Sequence, residues 1–176
     1  VMPSVLNGLP GIGKTQLATE YLYRYSENYE LIWWIPASHA NQVHEAYTLL
    51  AQELGTYQPG APVTSMVHAV REALRRGTRY RRWLLVFDDA RQPEDVARYL
   101  PVGGDGHIII TSRNLVWAAR SSHAALTVDV FSRQESIELL RRCGPEDLTE
   151  NEADELAEAL GDLPIALRQA AAGLYE

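Results

Sequence analysis

The segment Gly8-Leu9-Pro10-Gly11-Ile12-Gly13-Lys14-Thr15 fits the pattern G-x-x-x-x-G-K-[ST] at every fixed position. Each residue type in it has a task in holding phosphate. Glycines let backbone N–H groups converge on phosphate oxygens, and a helix opening near Lys14 adds its positive end. The Lys14 ammonium reaches terminal phosphates, and the Thr15 hydroxyl suits Mg²⁺. Gly8, Gly11, Ile12, Gly13, Lys14, Thr15 and the adjoining Gln16 are therefore the candidate phosphate contacts.

A metal held beside such a loop needs a carboxylate on a neighbouring strand. Leu84-Leu85-Val86-Phe87-Asp88-Asp89 supplies one at a strand's C-terminal end. Asp88 is expected to share Mg²⁺ with Thr15. Asp89 stands where fast ATPases with this loop carry a water-activating glutamate, and an aspartate is one methylene shorter, so either poor catalysis or adapted geometry follows. The competing reading is an acidic pair that caps the next loop. Thr111-Ser112-Arg113 follows another strand, which in such a sheet can lie between the loop strand and the acidic strand. Arg113 is then expected to sense the γ-phosphate, the alternative being a surface arginine in the turn before Asn114. Lys14, Asp88, Asp89 and Arg113 form the candidate catalytic group.

Charge sharpens the ligand. Of the 16 basic residues 15 are Arg, and Lys14 is the one lysine. Guanine-reading loops of this class use an Asn/Thr-Lys-x-Asp motif, for which no lysine remains. Adenine is favoured, as ATP or ADP with Mg²⁺. The net charge of −7 argues against nucleic acid and anionic membrane. Arg75-Arg76-Gly77-Thr78-Arg79-Tyr80-Arg81-Arg82 is the local exception, read as a solvated loop or, alternatively, a dock for an acidic partner. His39, His44, His68, His107 and His123 show no metal-ligand spacing. The single Cys143 suits a reducing compartment, and the absence of a signal or a 20-residue apolar run points to a cytoplasmic protein without membrane contact.

These residues must be positioned by a core, and 176 residues with 46% apolar content can build one. Strand-like runs alternate with helical periodicity, which predicts an α/β fold around a parallel sheet. Five strands are expected: Pro3–Asn7, Leu31–Ile35, Trp83–Phe87, His107–Thr111 and Leu126–Val130. Leu17, Ala18, Tyr21, Leu22 and Tyr25 make one sheet-facing helical stripe; Val43, Ala46, Tyr47, Leu50 and Leu54 make a second. A helix is predicted over Thr64–Arg76 and a short one over Asp95–Tyr99.

From Ser132 only helical patterns follow. Ser132 with Glu135 and Thr149 with Glu152 are capping-box spacings, and Asp162 is expected to cap a last helix with Pro164 in its first turn. The reading is a nucleotide-binding domain over residues 1–131 and a small helical subdomain over 132–176, cut short at its end.

Together the loop Gly8 to Thr15 with Gln16-Leu17-Ala18, the strand Leu31-Ile32-Trp33-Trp34-Ile35, Asp88-Asp89, Thr111-Ser112-Arg113 and Gly161-Asp162-Leu163-Pro164-Ile165-Ala166-Leu167 resemble the NB-ARC class of STAND P-loop ATPases over nearly the whole chain. That family comprises signalling switches of apoptosis regulators, plant resistance proteins and many bacterial regulators. The last segment looks like the family's G-L-P-L-A-L motif with Asp162 in place of the first leucine. The resemblance implies a three-layer P-loop NTPase fold with strand order 5-1-4-3-2, Pro164 near the adenine, and Arg113 as the first sensor. It also implies partners in other domains of a longer chain and a nucleotide-driven homo-oligomer. Segments that the family places before the first strand and after the helical subdomain, including a winged helix, are not in this sequence, so weakened nucleotide binding is expected.

Three functions compete at this point: a nucleotide-dependent switch with slow Mg-dependent hydrolysis, a rapidly hydrolysing ATPase, and a non-hydrolysing interaction scaffold.

Overall fold

The computed structural model describes residues 3–114, 116–117 and 124–174; His123 and the chain's last two residues lie outside them. Five strands form one sheet: β1 (Ser4–Asn7), β2 (Leu31–Pro36), β3 (Trp83–Asp88), β4 (His107–Ser112) and β5 (Ala124–Thr127). Their order is β2-β3-β4-β1-β5 and every neighbouring pair is parallel. This is the expected 5-1-4-3-2 arrangement. Helices α1 (Lys14–Tyr25), α2 (Ala40–Glu53), α3 (Val63–Arg76) and α4 (Pro93–Ala97) flank the sheet.

A parallel sheet covered on both faces needs strands that are apolar throughout. Trp83 to Phe87 are all fully buried. Alternation divides them: Trp83, Leu85 and Phe87 join Ile108, Ile110, Tyr47, Leu50, Val70 and Leu74 in one core, leaving Leu84 and Val86 for the opposite face. The α2 stripe, Val43, Ala46, Tyr47, Leu50 and Leu54, is buried as expected. The Tyr47 hydroxyl donates to the Tyr99 carbonyl, which satisfies the one polar atom on that face.

Three elements depart from the sequence pattern. In α1 the buried residues are Lys14 and Ala18, whereas Leu17 and Tyr25 are 42% and 46% exposed. Of the apolar stripe Ala18 is buried and Tyr21 and Leu22 are half-buried, while the Tyr21 and Tyr25 rings meet at a tilt of 42° with centroids 4.8 Å apart. The last strand covers Ala124–Thr127, not Leu126–Val130, because it pairs with β1 in register Ser4↔Ala124 to Asn7↔Thr127 and β1 has no residue beyond Asn7 to offer. The apolar alternation past Thr127 therefore finds no ladder, and Val130 is exposed. The short helix begins two residues early, at Pro93, where a missing N–H costs nothing.

The arginine-rich run is not a free basic surface. Arg75 and Arg76 both pair with Glu72, Arg79 with Glu53, Arg81 with Asp105 and Arg82 with Glu30. The hydrogen bonds from Arg75, with Arg76 nearby, hold the Glu72 carboxyl down at about 2.

A second compact unit comprises Gly8–Gly13 and Val128–Glu176. It contains α5 (Arg133–Cys143), α6 (Glu150–Ala159) and α7 (Pro164–Gly173). Both capping boxes form, on Ser132 with Glu135 and on Thr149 with Glu152. Leu140, Ala153, Ala157, Leu167 and Ala171 make its core, the small residues letting the helices approach closely. Asp162 does not cap α7. It sits in the left-handed region at φ 56, Leu163 takes the cap position without a side-chain bond, and the Asp162 carboxylate turns to Arg133.

Candidate functional site

Two strands that end side by side assemble the charged half of the site. β1 stops at Asn7, α1 starts at Lys14, and β4, the neighbour of β1, brings Thr111 beside the end of β3. The Thr15 hydroxyl donates to Asp88 Oδ1 at 2.8 Å, and the Thr111 hydroxyl donates to the same oxygen at 2.6 Å. Thr111 Oγ1 also accepts from the Asp89 N–H at 2.8 Å. That bond helps hold Asp89 at φ 57, uncommon for a residue with a side chain. From there Asp89 meets Arg113 as a fork, Nε to Oδ1 at 2.9 Å and Nη2 to Oδ2 at 2.8 Å. Both carboxylate oxygens of the candidate base are thus engaged by the candidate sensor.

Lys14 is only 8% exposed. Burial pushes its ammonium below the ordinary lysine value, and the nearby Arg113 charge adds to this against the opposing pull of Asp89 and Asp88. The first turn of α1 carries no acidic residue, so the positive end of the helix stays available for an anion.

The glycine-rich half of the motif belongs to the helical unit. Gly11 stands at φ 76, and a Cβ there would come within 2.5 Å of the Ile165 Cγ2 methyl; Gly13 stands at φ 99 with no atom within 4 Å of where its Cβ would be. The first glycine permits close packing and the second leaves backbone bare, as a loop must to present N–H groups to an oxyanion. Ile12 is buried, and the Ile165 N–H donates to the Gly11 carbonyl at 3.3 Å. The residues on either side of Pro164, the first residue of α7, thus face Gly11: Ile165 and Leu163.

Lys14, Thr15, Asp88, Asp89 and Arg113 thus converge in the sheet unit, while Gly8, Gly11, Ile12 and Gly13 share the other unit with Pro164. Gln16 is exposed on α1. Thr111, singled out in the sequence only within Thr111-Ser112-Arg113, takes a role of its own by bonding both the Asp88 carboxylate and the Asp89 backbone. Arg91, Gln92 and Asn114 extend the site, lining with Asp89, Ala90 and Arg113 a depression of about 310 Å³.

The residues suit the groups their types imply. Two hard oxygens 2.8 Å apart, from Thr15 and Asp88, match a cation that takes oxygen ligands at about 2.0–2.1 Å in octahedral geometry and keeps several waters. Bare glycine backbone, a helix start and a buried ammonium match phosphate. Among the described residues no group of three His, Cys, Asp or Glu side chains is placed to hold a metal, and no helix is long and apolar enough to cross a membrane.

Comparison with known proteins agrees with this geometry. Over 192 residues the chain is 27% identical to a nucleotide-binding leucine-rich repeat (NLR)-like protein of Hyaloscypha variabilis, covering 95% of this chain but 19% of that protein. The chain thus spans about a fifth of that relative's length. Its fold is similar to that of a signal transduction ATPase with numerous domains (STAND) and a tetratricopeptide repeat sensor from Pyrococcus horikoshii, with a TM-score of 0.59, 16% identity, and coverage of 95% of this chain and 27% of the other. It is similar also to the Orc1 protein of Aeropyrum pernix, solved in complex with DNA, at TM-score 0.58 and 16% identity, covering 99% and 55%. The NB-ARC domain profile matches residues 4–148, and with the sheet order already in place the chain belongs to the NB-ARC family.

Proposed function

We propose that the chain is the ATP- and ADP-binding switch module of a larger signalling protein, with slow Mg-dependent hydrolysis. The observation that carries this reading is the convergence of Lys14, Thr15 and Asp88, with Thr15 and Asp88 joined at 2.8 Å. Backbone N–H groups of Gly8 to Gln16 would cradle the phosphates, Lys14 would neutralise the terminal ones, and Thr15 with Asp88 would hold Mg²⁺. The metal's contribution is to neutralise charge between the β- and γ-phosphates. Pro164 would pack near the adenine, as its place between two residues that face Gly11 supports.

Slow turnover follows from the Asp89–Arg113 fork. A carboxylate whose two oxygens both accept from a guanidinium is turned away from water, so it is poorly placed to activate one. A γ-phosphate competes with Asp89 for Arg113, so the arginine can report a triphosphate only by leaving its carboxylate. Its net preference is therefore modest. Arg113→Ala is expected to cut the ATP-over-ADP preference by about 5- to 10-fold, the charge-assisted bond less the cost of the broken fork, and to leave ADP affinity within about twofold. Calorimetry with both nucleotides and Mg²⁺ checks it.

The lowered Lys14 pKa sets a pH dependence. A lysine depressed in the free protein must take up its proton when phosphate binds, so affinity declines as pH rises through that depressed value, beginning below the usual 10.5. ADP titrations from pH 7.5 upward in two buffers of different ionisation heat should show proton uptake growing with pH. A flat profile to pH 10 would contradict it. The match to one fifth of a longer relative supports a module that works with other domains of its own chain, with ATP favouring a homo-oligomer. The deciding experiment is ADP and ATP binding by wild type against Lys14→Ala: equal affinities, or none in wild type, would refute the reading.

A further inference from the structure

Within the helical unit, Gly161 and Asp162 adopt left-handed conformations in succession, at φ 61 and 56. Glycine does so freely, whereas aspartate needs a local reason. That reason is Arg133, whose Nε and Nη2 meet Asp162 Oδ1 and Oδ2 at 3.0 and 3.1 Å. Its remaining nitrogen Nη1 reaches Asp154 Oδ1 at 3.1 Å. One guanidinium on α5 therefore ties α6 to the turn that precedes α7. The same turn is held through its backbone, Asp162 N–H to the Ala157 carbonyl at 3.0 Å and Phe131 N–H to the Asp162 carbonyl at 3.1 Å.

Only Leu163 and Pro164 separate this anchor from the Ile165 N–H that donates to Gly11, and the Ile165 methyl fills the space left by the missing Gly11 side chain. Proline allows little freedom in φ, so the short span transmits position rather than absorbing it. The Arg133–Asp162 fork keeps the Asp162 carboxyl below the usual carboxylate range, so the pair stays ionised across neutral pH.

We infer that Arg133 is a positioning residue for nucleotide binding: through Asp162 it sets Ile165 against Gly11 and so holds the glycine-rich turn in its binding shape. This rests on the reading of Gly8 to Thr15 as the phosphate loop. Arg133→Met is expected to weaken ADP binding about 10-fold, the effect usual for a residue that orients binding groups without touching the ligand. Arg133→Lys, which keeps the charge but not the fork, should recover part of it. Asp162→Asn tolerates the left-handed turn while losing the charged pair, and the double variant should bind no worse than Arg133→Met, because the two act as a unit. Hydrogen exchange on the nucleotide-free chain supplies the second readout. The Ile165 amide should exchange faster in Arg133→Met and Asp162→Asn while Leu140 and Ala153 keep their protection.

Unchanged ADP affinity in Arg133→Met and Asp162→Asn would overturn the inference while wild-type binding left the phosphate-loop reading intact. A uniform rise in exchange across α5, α6 and α7 would reduce Arg133 to a structural role and overturn it as well. If wild type binds no ADP, the nucleotide reading fails and with it this inference, whatever the exchange at Ile165.

Discussion

Lys14→Ala is expected to halve or more the stabilisation by ATP or ADP, lowering affinity by about 2–3 kcal/mol, roughly 30- to 150-fold, the range of a charge-assisted bond to phosphate. No other lysine exists to replace it. The loss should fall on binding alone. Burial already disfavours the Lys14 ammonium in the free protein, and Arg113 adds repulsion that the two aspartates oppose, so the charge is held at a cost that bound phosphate would offset. A thermal shift separates the terms: nucleotide at about 1,000 times the wild-type Kd should add about 4 kcal/mol to wild type and about 1.3–2 kcal/mol to the variant, with the ligand-free transitions similar. A ligand-free Lys14→Ala protein that melts far below wild type would show that the residue serves the fold instead.

Trp83→Ala is expected to cost about 3–5 kcal/mol, the usual penalty for emptying a buried aromatic site. Trp83 is fully buried at the start of β3, and the backbone of Gly106 lies so close to its ring that even a Cβ at Gly106 would collide with it. Its indole N–H donates to the Leu74 carbonyl at 2.9 Å, but that carbonyl also accepts from the Gly77 N–H at 3.3 Å. The cavity therefore dominates the loss, because the acceptor keeps a partner. Against a total stability of about 5–15 kcal/mol this threatens the sheet itself, and Asp88 at the far end of the same strand with it. Urea unfolding should show a lower midpoint at an unchanged slope; a midpoint within 0.3 M of wild type would contradict the packing described.

The sequence made most of the strands and the phosphate-loop motif legible for physical reasons, whereas the strand order came only with the family resemblance. Strands buried on both faces must be continuous apolar runs, and a phosphate loop tolerates few residue types at its fixed positions. What the sequence did not disclose were pairings between distant segments. Asp89 and Arg113 are 24 positions apart, Asp88 and Thr111 23, Arg133 and Asp162 29, and no local spacing marks any of them. Asp162 misled because aspartate suits both a helix cap and a left-handed turn, and only the position of Arg133 decides between them. The arginine-rich run is the exposed segment ahead of the third strand that its composition suggests, but its charge is balanced. Glu72 neutralises Arg75 and Arg76 at local helical spacing, whereas Glu30, Glu53 and Asp105 arrive from other parts of the fold.

Parallel pairing of Ser4 with Ile109 gives the N-terminal strand a birth-order problem. β1 leaves the ribosome about 100 residues before its neighbour β4, roughly 5–20 s earlier at ordinary rates of synthesis. During that delay the glycine-rich turn and Lys14 follow a strand whose neighbour β4 has yet to emerge. Closing so long a loop is slow on entropic grounds, and a nascent chain stalled before residue 107 would expose an apolar edge open to aggregation.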